Sequence, residues 1–406
     1  MAVTIFGLIQ HRRGIKADLP DKLEEGELGF CVDTRELFIG NTPALGGNTQ
    51  IFTNAVDVVS LARYSFMSDT QVPSQTGTSM NQPIVRSLQA QLDDAWVNVK
   101  AYGAKGDGIT DDTAAINRAI EDLYTKQLTT SENVSQARKT IWFPSGEYLI
   151  TQPILVYPKV SLRGEACQNT MIVLNNTLVA QDHVIELVDS LGQTQLNMGT
   201  NQALLPTHVQ FVDLTIASAQ NIDLVWLSRY SHVYFKNCIL KGIWQSGDAV
   251  VPGSQSAAIR AETLGNLIVS EQLHFTNCVF QDIELAFYST DPVRITSFSQ
   301  CTFTQLYTAI LTDRRVAPDP APNAGPAFTR ISQSSFVDID SYAIQVMSDN
   351  PGVISMANVY VNVGIVAATD AVLWSAVSTK CVSMADTFEA GSIINDLGTS
   401  NLINNA

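Results

Sequence analysis

The side chains of this chain best suited to chemistry are acids, arginines and aromatics near two breaks in a sequence repeat. Two carboxylates facing one groove could hydrolyse a glycosidic bond, about 5 Å apart for retention or wider for inversion. A base beside a charge-neutralising group could instead carry out a lyase reaction on a polysaccharide. The candidate catalytic residues are Glu284, Asp291 and Asp313, and the candidate ligand-binding residues are Trp244, Tyr288, Tyr307, Arg294 and Arg315.

Strand alternation predicts where the candidate acids point. Glu284 lies between Ile283 and Leu285, which suit a core, so we expect its carboxylate on the outer side of a strand. Asp291 follows on the next turn and Asp313 belongs to the coil above, which would place the three acids on one face. Their spacing is not a catalytic signature, because outward acids on a chain of formal net charge −15 are usually solvated. A binding or purely structural face is therefore the alternative.

The element that must position these residues is a repeat of about 24 residues. One phrase, apolar-x-polar-x-x-apolar, recurs six times between residues 209 and 361. Its polar anchors are Asp213, Asn237, Asn277, Gln300, Gln333 and Asn358, which are separated by 24, 40, 23, 33 and 25 residues. A fixed period of this size, lengthened by insertions in two steps, predicts a solenoid.

Stacking of the repeat predicts continuous ladders inside the solenoid, since parallel strands lie about 4.8 Å apart. The first ladder would contain Phe211, Phe235, Phe275, Phe298, Ile331 and Met356, and the second Ile216, Leu240, Phe280, Phe303, Phe336 and Val361. The polar anchors would occupy bends, where stacked amides satisfy each other. Three cysteines share one slot of the phrase, and we expect Cys238, Cys278 and Cys301 to be buried free thiols rather than metal ligands.

Two Gly/Pro/Ser-rich insertions interrupt the period, at residues 245–262 and 313–327. Loops that project from a rigid scaffold commonly carry function. The breaks after Trp244 and after Leu311 are therefore where we expect the functional surface, although the second loop could equally be a subunit contact.

The start of the solenoid has its own motif at residues 97–116. Glycines give it a tight loop, and Asp111 and Asp112 can cap a following helix at 112–124. We interpret Asp107, Asp111 and Asp112 as turn and cap residues rather than catalytic or metal-binding acids. The helix would cover the open end of the solenoid.

The motif Tyr102-Gly-Ala-Lys-Gly-Asp-Gly-Ile-Thr-Asp-Asp112, with the phrases at 142–150 and 160–164, resembles the pectate-lyase-like family of right-handed parallel β-helices, particularly phage tailspikes and depolymerases. The resemblance covers residues 96–175 in specific phrases and extends through the repeats by pattern. It implies an all-β fold in which a short helix caps a right-handed parallel β-helix at residues 96–395, followed by a tail at 396–406.

The N-terminal block carries a second resemblance. Residues 27–33 and 36–41 read as strands joined by a turn at Thr34 and Arg35, after a first strand near Val3. The phrases at 10–14, 17–20, 26–30 and 37–41 are similar to the N-terminal domain of the phage major tropism determinant. That resemblance implies a trimeric β-prism-like attachment domain at residues 1–54. Helical spacing of Ile84, Leu88, Leu92 and Ala95 predicts a neck helix in a linker at 55–95.

Composition narrows the partners. The chain has 406 residues, and its acidic balance makes a nucleic-acid partner implausible. We expect no cofactor, no metal site and no membrane insertion, because the sequence has no phosphate-binding glycine loop, no metal-ligand spacing and no long apolar run.

The two resemblances imply a homotrimeric component of a phage tail, assembled in the host cytoplasm. Residues 1–54 would attach it to tail or baseplate proteins, and the β-helix would recognise host surface polysaccharide. The first alternative is a depolymerase, a hydrolase or lyase acting on capsule or O-antigen. The second is a structural adaptor that docks other tail fibre proteins.

Overall fold

The structure is a computed structural model of the chain. It describes residues 11–41, 46–51, 63–65, 85–87, 96–125, 140–175, 183–194, 205–227, 229–251, 254–261, 272–290, 295–312, 328–347, 353–364, 370–374, 381–389, 394–398 and 401–405. It divides into two compact units, Met1–Ala95 and Trp96–Ala406.

The first unit contains a four-stranded sheet in the order β1-β2-β3-β4. Its strands are β1 (His11–Gly14), β2 (Leu28–Cys31), β3 (Glu36–Gly40) and β4 (Asn48–Ile51), and a 3₁₀ turn spans Lys16–Asp18. β1 and β2 are parallel and the other pairs are antiparallel. The predicted turn is confirmed, with Arg35 at φ 57° between β2 and β3. The strand predicted near Val3 lies outside the described residues.

The predicted neck helix is not supported where it can be checked. Strand β6 (Val85–Ser87) pairs antiparallel with β5 (Arg63–Ser65), so an extended strand occupies the place of the first helical turn. An extended strand repeats every two residues, whereas the predicted helix repeats about every 3.6. Residues 88–95 lie outside the described part of the chain.

The second unit is a right-handed parallel β-helix with three sheets, named here sheets 1, 2 and 3. Sheet 1 contains β7 (Val97–Asn98), β9 (Thr140–Phe143), β12 (Ser161–Gly164), β15 (Val209–Val212), β18 (His232–Lys236), β21 (Gln272–Thr276), β23 (Ile295–Ser299), β25 (Phe328–Ser332), β28 (Val353–Met356), β31 (Val382–Met384) and β34 (Leu402–Asn404). Adjacent strands in sheet 1 pair in parallel, one coil to the next.

Sheet 2 contains β8 (Asp107–Asp111), β10 (Gly146–Ile150), β13 (Thr170–Leu174), β16 (Thr215–Ser218), β19 (Ile239–Lys241), β26 (Ser335–Ile339), β29 (Val359–Val363) and β32 (Thr387–Phe388). Sheet 3 contains β11 (Ile154–Val156), β14 (His183–Leu187), β17 (Asp223–Leu227), β20 (Ala257–Ala261), β27 (Ile344–Val346), β30 (Val372–Trp374) and β33 (Ile394–Asp396). Two long strands, β22 (Val279–Ser289) and β24 (Thr302–Thr312), pass through the corner and contribute to both sheets.

Both predicted ladders are present through most of their length. Phe211, Phe235, Phe275 and Phe298 stack at centroid distances of 4.6, 4.9 and 4.7 Å. In the second ladder, Phe303 stacks at 4.9 Å on Phe280 and at 4.6 Å on Phe336. The spacings match the repeat of parallel strands, so the aromatic stack follows directly from the coil geometry.

The last predicted rung of each ladder is wrong by one residue. Ile331 pairs with Ser355 and Phe336 with Tyr360, so these two side chains continue the ladders. Met356 is 44% exposed and Val361 37% exposed. A slip of one residue moves a side chain to the opposite face of a strand, and here the left-handed bend residue is Ala357 rather than Asn358.

The predicted bends are confirmed in the other five repeats. Asp213, Asn237, Asn277, Gln300 and Gln333 all have φ between 51° and 57°. Their side chains bond along the stack: the Asn237 amide donates to Asp213 over 2.8 Å, and the Asn277 amide donates to Asn237 over 2.9 Å. Asn and Asp tolerate the left-handed region better than most residues, which explains their recurrence at this position.

The buried thiols are confirmed as well. Cys238, Cys278 and Cys301 are free and buried in consecutive coils. Burial raises the pKa of the Cys238 thiol, because the charged thiolate is disfavoured away from water. These cysteines are packing residues of the core.

Helix α1 (Thr113–Thr125) follows β8 and a short 3₁₀ helix, Val99–Tyr102. It buries Ile116 and Ile120 in the main core. The Asp112 carboxylate accepts hydrogen bonds from the backbone of Lys105 and Gly106. Further contacts of the motif confirm the predicted turn and cap roles: Asp111 accepts from the backbone of Thr113, and Asp107 accepts from the backbone of Ile109 and Thr110.

Candidate functional site

The candidate site lies at the corner between sheets 2 and 3. One residue in each of four successive coils adopts a left-handed backbone there, with φ between 54° and 56°. We call these residues the polar column: Asp282, Gln305, Asp338 and Asn362. Because successive coils are about 4.8 Å apart, the four side chains form a row along the helix axis.

Neighbouring side chains tie the polar column together. The Asn362 amide donates to Asp338 Oδ1 over 2.6 Å, and the Asn362 backbone N–H donates to Glu389 Oε2 over 2.8 Å. Lys241 Nζ lies 3.5 Å from Asp282 Oδ2. The side chain of Gln305 is exposed and makes no hydrogen bond with the described residues. The column therefore offers carboxylate and amide groups to the solvent side.

A groove of about 850 Å³ runs over the polar column. Residues 241–246 form its wall, so the groove lies at the first predicted break in the repeat. Gly242 allows this close approach, since a Cβ at that position would lie 2.5 Å from the carbonyl oxygen of Asp282. We call this feature the corner groove.

Buried carboxylates hold the loop that continues the wall. Ser246 Oγ donates to Asp340 Oδ1 over 2.6 Å, and the Gly247 N–H donates to Asp340 Oδ2 over 3.0 Å. At the far end of the loop, the backbone N–H and hydroxyl of Ser256 both donate to Glu284 Oε2. Asp340 is 1% exposed and Glu284 3% exposed. Buried carboxylates need such donors, and here the donors come from the loop.

The structure brings together three of the predicted site residues. Trp244, Glu284 and Tyr307 lie at the same corner, and the Trp244 and Tyr307 rings pack edge to face at 6.3 Å. Trp244 is 3% exposed and lines the corner groove, and its indole N–H has no hydrogen-bond partner among the described residues. Glu284, predicted on the outer side of its strand, is not exposed to solvent, because its carboxylate is buried and accepts hydrogen bonds from Ser256 of the loop.

The other predicted residues are elsewhere or outside the described chain. Tyr288 lies on the outer face of sheet 3, where the Arg260 guanidinium is 4.8 Å from its ring centre. Arg260 in turn pairs with Asp223. Four predicted residues lie outside the described part of the chain: Asp291, Arg294, Asp313 and Arg315.

Sequence reasoning missed the polar column, although its signal was present. The phrase apolar-x-polar occurs a second time in four coils: Phe280-Gln-Asp282, Phe303-Thr-Gln305, Phe336-Val-Asp338 and Tyr360-Val-Asn362. Each phrase starts on a residue of the second ladder and ends on a left-handed bend. The same rule that identified the first bend therefore also identifies the second.

The polar column can do two kinds of chemistry. Its amides and carboxylates can bind hydroxyl or amino groups of a ligand. Asp282 and Asp338 are two coils apart, a backbone separation of about 9.6 Å, which is near the upper end of the range for inverting glycosidases. Among the described residues, no cluster of three or more His, Cys, Asp or Glu could hold a metal ion. Nor does any helix within the described ranges have the length and apolar character to span a membrane.

Comparison with known proteins assigns the second unit to a family. Residues 96–317, more than half of the chain, match the model described as "Rhamnogalacturonase A/epimerase, pectate lyase-like". The chain belongs to this family. Residues 9–41 match a different model, the major tropism determinant N-terminal domain.

Individual relatives of the chain match it only over short segments. It is 33% identical over 120 residues to a non-secreted LysM effector of Penicillium expansum, covering 30% of this chain and 8% of that protein. It is 45% identical over 67 residues to a glucan 1,3-beta-glucosidase of Cochliobolus carbonum, covering 16% of this chain and 8% of that protein. The chain thus spans less than a tenth of either relative.

Among solved structures, bacteriophage CBA120 tailspike protein 3 aligns with this chain. The alignment has a TM-score of 0.49 and 17% sequence identity, and covers 91% of this chain and 61% of that chain.

Proposed function

We propose that this protein is a phage tailspike or tail fibre component of the virion that recognises host surface polysaccharide. The observation that carries the proposal is the order of two modules in one chain. Residues 9–41 match the N-terminal domain of a phage tropism determinant, and residues 96–317 match a pectate-lyase-like β-helix. In this proposal residues 1–54 attach the protein to tail or baseplate proteins, residues 55–95 connect, and residues 96–395 form the host-facing body, followed by the tail at 396–406.

The corner groove is the proposed polysaccharide site. It is lined by amide, carboxylate and ammonium groups at Lys241, Asp282, Gln305, Asp338 and Asn362. A row of polar side chains at the coil spacing can meet successive units of a polymer. Trp244 and its loop give the row a wall.

Adsorption to cells tests this proposal. Fluorescently labelled full-length protein is incubated with host cells, with cells treated with periodate to oxidise surface sugars, and with cells treated with protease. We expect binding that periodate abolishes and protease leaves intact. Binding that depends on a protease-sensitive receptor would contradict the polysaccharide proposal, and binding to purified tails without binding to cells would favour the structural adaptor.

A second candidate function is depolymerisation, favoured by the placement of Asp282 and Asp338 on one column two coils apart. An inverting hydrolase would use one as acid and the other as base. Host polysaccharide incubated with the protein should then release reducing ends, and Asp338→Asn should stop the release. Unsaturated uronate products, seen by ultraviolet absorbance, would indicate a lyase instead, and the absence of both products would leave recognition alone.

We also propose that the protein is a homotrimer. Apolar side chains on the outer surface of the last coils support self-association, since exposed apolar patches commonly mark contacts between proteins. They include Met356, Val359 and Met384, each at least 37% exposed. Light scattering should give three times the chain mass of 44.1 kDa, and a monomer at micromolar concentration would refute this assembly.

A further inference from the structure

The charge of the corner groove points to a class of saccharide. Its described lining residues include two carboxylates, Asp282 and Asp338, and one cation, Lys241. Lys241 is 3.5 Å from Asp282, so that carboxylate neutralises its charge. Asp338 accepts a hydrogen bond from the neutral amide of Asn362 and has no cationic partner among the described residues. Within the part of the chain that the structure describes, the groove lining therefore has one more carboxylate than it has cations, and its one cation already has an acidic partner.

The surroundings reinforce this negative field. Glu389 lies next along the axis and accepts from the Asn362 backbone. Behind the wall, Asp340 and Glu284 are buried and hydrogen-bonded to the loop. Buried and partly enclosed charges are screened less by salt than exposed ones. The carboxylate of a uronic acid would thus be repelled by the acids of the polar column and by the buried acids behind the wall.

The neutral groups of the groove suit sugar hydroxyls and amides. Gln305 projects from the middle of the polar column with both its amide donor and its acceptor available. Trp244 lines the groove and is 3% exposed, and its buried indole N–H, which has no hydrogen-bond partner among the described residues, carries no positive charge. Carboxylates beside amides can accept from hydroxyl groups or from a protonated amine.

We infer that the corner groove selects neutral and amino-sugar glycans and excludes polymers of uronic acids. The inference rests on the proposed function, since it assumes that the groove binds a saccharide. We assign Asp282 and Asp338 as specificity-determining residues that act through their negative charge. Asp→Asn substitution tests this role, because it keeps the shape of the side chain and removes the charge.

The test uses three tetrasaccharides of equal length with the full-length protein, measured by isothermal titration calorimetry at low salt. The probes are the N-acetylglucosamine tetramer, the glucosamine tetramer and tetragalacturonate. We expect tetragalacturonate to bind roughly ten-fold or more weakly than the glucosamine tetramer, with a difference that shrinks as salt is added. In Asp282→Asn/Asp338→Asn, the glucosamine tetramer should lose its advantage while the N-acetylglucosamine tetramer binds as before.

Glu121→Gln, on the exposed side of α1, makes a matched change of charge away from the groove and should leave all three affinities unchanged. Unfolding midpoints equal to the parent protein confirm that each variant is folded. Tetragalacturonate binding as tightly as the glucosamine tetramer, a preference that survives the double substitution, or no binding by any tetramer would each overturn the inference. Periodate-sensitive adsorption to cells would still support the proposed function in those cases, so the two failures are distinguishable.

Discussion

Ser246 and Asp340 are joined by a hydrogen bond of 2.6 Å although 94 residues separate them in sequence. The bond connects the loop after Trp244 to a carboxylate that is buried several coils further along the stack. Gly247 donates to the same carboxylate. The loop at the first break in the repeat therefore forms a wall of the corner groove that is fixed by hydrogen bonds to the β-helix.

Removing this anchor should free the wall. Asp340→Ala is expected to lower the free energy of unfolding by about 2 kcal/mol, the scale of hydrogen bonds to a charged group, and to expose the loop at 245–251 to protease. Limited proteolysis followed by mass spectrometry locates the cut. Ser246→Ala, which removes one of the two donors, should have a smaller effect, and equal protease resistance of all three proteins would refute the anchor.

The aromatic ladder makes a large contribution to stability. Phe303 is buried between Phe280 and Phe336, so Phe303→Ala should cost about 3–5 kcal/mol through lost contacts and a residual cavity. Urea denaturation measures the change. The adjacent Thr304, whose side chain points outward, gives the control, because Thr304→Ala should change stability by about 0.5 kcal/mol or less.

The register of the last coils can be tested by exchanging neighbours. Tyr360 is buried, and its hydroxyl shares a hydrogen bond with Ser355 Oγ over 2.8 Å. Tyr360→Ser should therefore cost about 3–5 kcal/mol, while Val361→Ser should be within about 0.5 kcal/mol of the parent. A larger loss of stability in Val361→Ser than in Tyr360→Ser, measured by thermal or urea denaturation, would support the register predicted from sequence instead.

The loop before α1 should show a defined pH dependence. Hydrogen bonds from the backbone of Thr110 and Ile109 lower the pKa of Asp107 from its ordinary value of 3.8 to about 2. A lowered pKa in the folded state means that this stabilisation is complete above the ordinary value and is lost as pH falls towards about 2. The difference in unfolding midpoint between the parent and Asp107→Asn should accordingly shrink between those two values, and a difference independent of pH would contradict the assignment.

The cysteines should differ in reactivity. Cys167 is half-buried, whereas Cys31, Cys238, Cys278, Cys301 and Cys381 are buried. Brief treatment of the native protein with iodoacetamide should label Cys167 first, and unfolding in urea should make all six reactive. Peptide mapping identifies the labelled sites, and early labelling of Cys238 would show that the thiol ladder is accessible.

Much of the β-helix was predictable because its chemistry repeats. An aromatic at the inner position and an Asn, Asp or Gln at the bend recur with the coil period, as at Phe235 and Asn237, so periodicity alone located the core and five of six bends. The prediction of the sixth bend failed because Met356 and Asn358 match the apolar and polar positions of the phrase one residue out of register. The structure places the bend at Ala357, a residue that the phrase did not consider.

The site was harder to predict because its geometry depends on corners. Alternation predicted an exposed carboxylate at Glu284, but Ser256 of the loop covers and hydrogen-bonds it. The position after Trp244 was predicted to carry function because a broken period indicates a projecting loop, and the proposed site, the corner groove, lies beside it. That this loop folds back onto Asp340 depends on contacts between coils that no local pattern records.

The left-handed backbone of the polar column has a consequence for evolution. Asn and Asp are the residues, other than glycine, that adopt this conformation at least cost, so the scaffold restricts what can line the groove. Asp and Asn codons differ by one nucleotide. On the proposed function, a single mutation at position 282, 338 or 362 would therefore change the charge of the groove by one unit without disturbing the coil, and host range could shift while the fold stays constant.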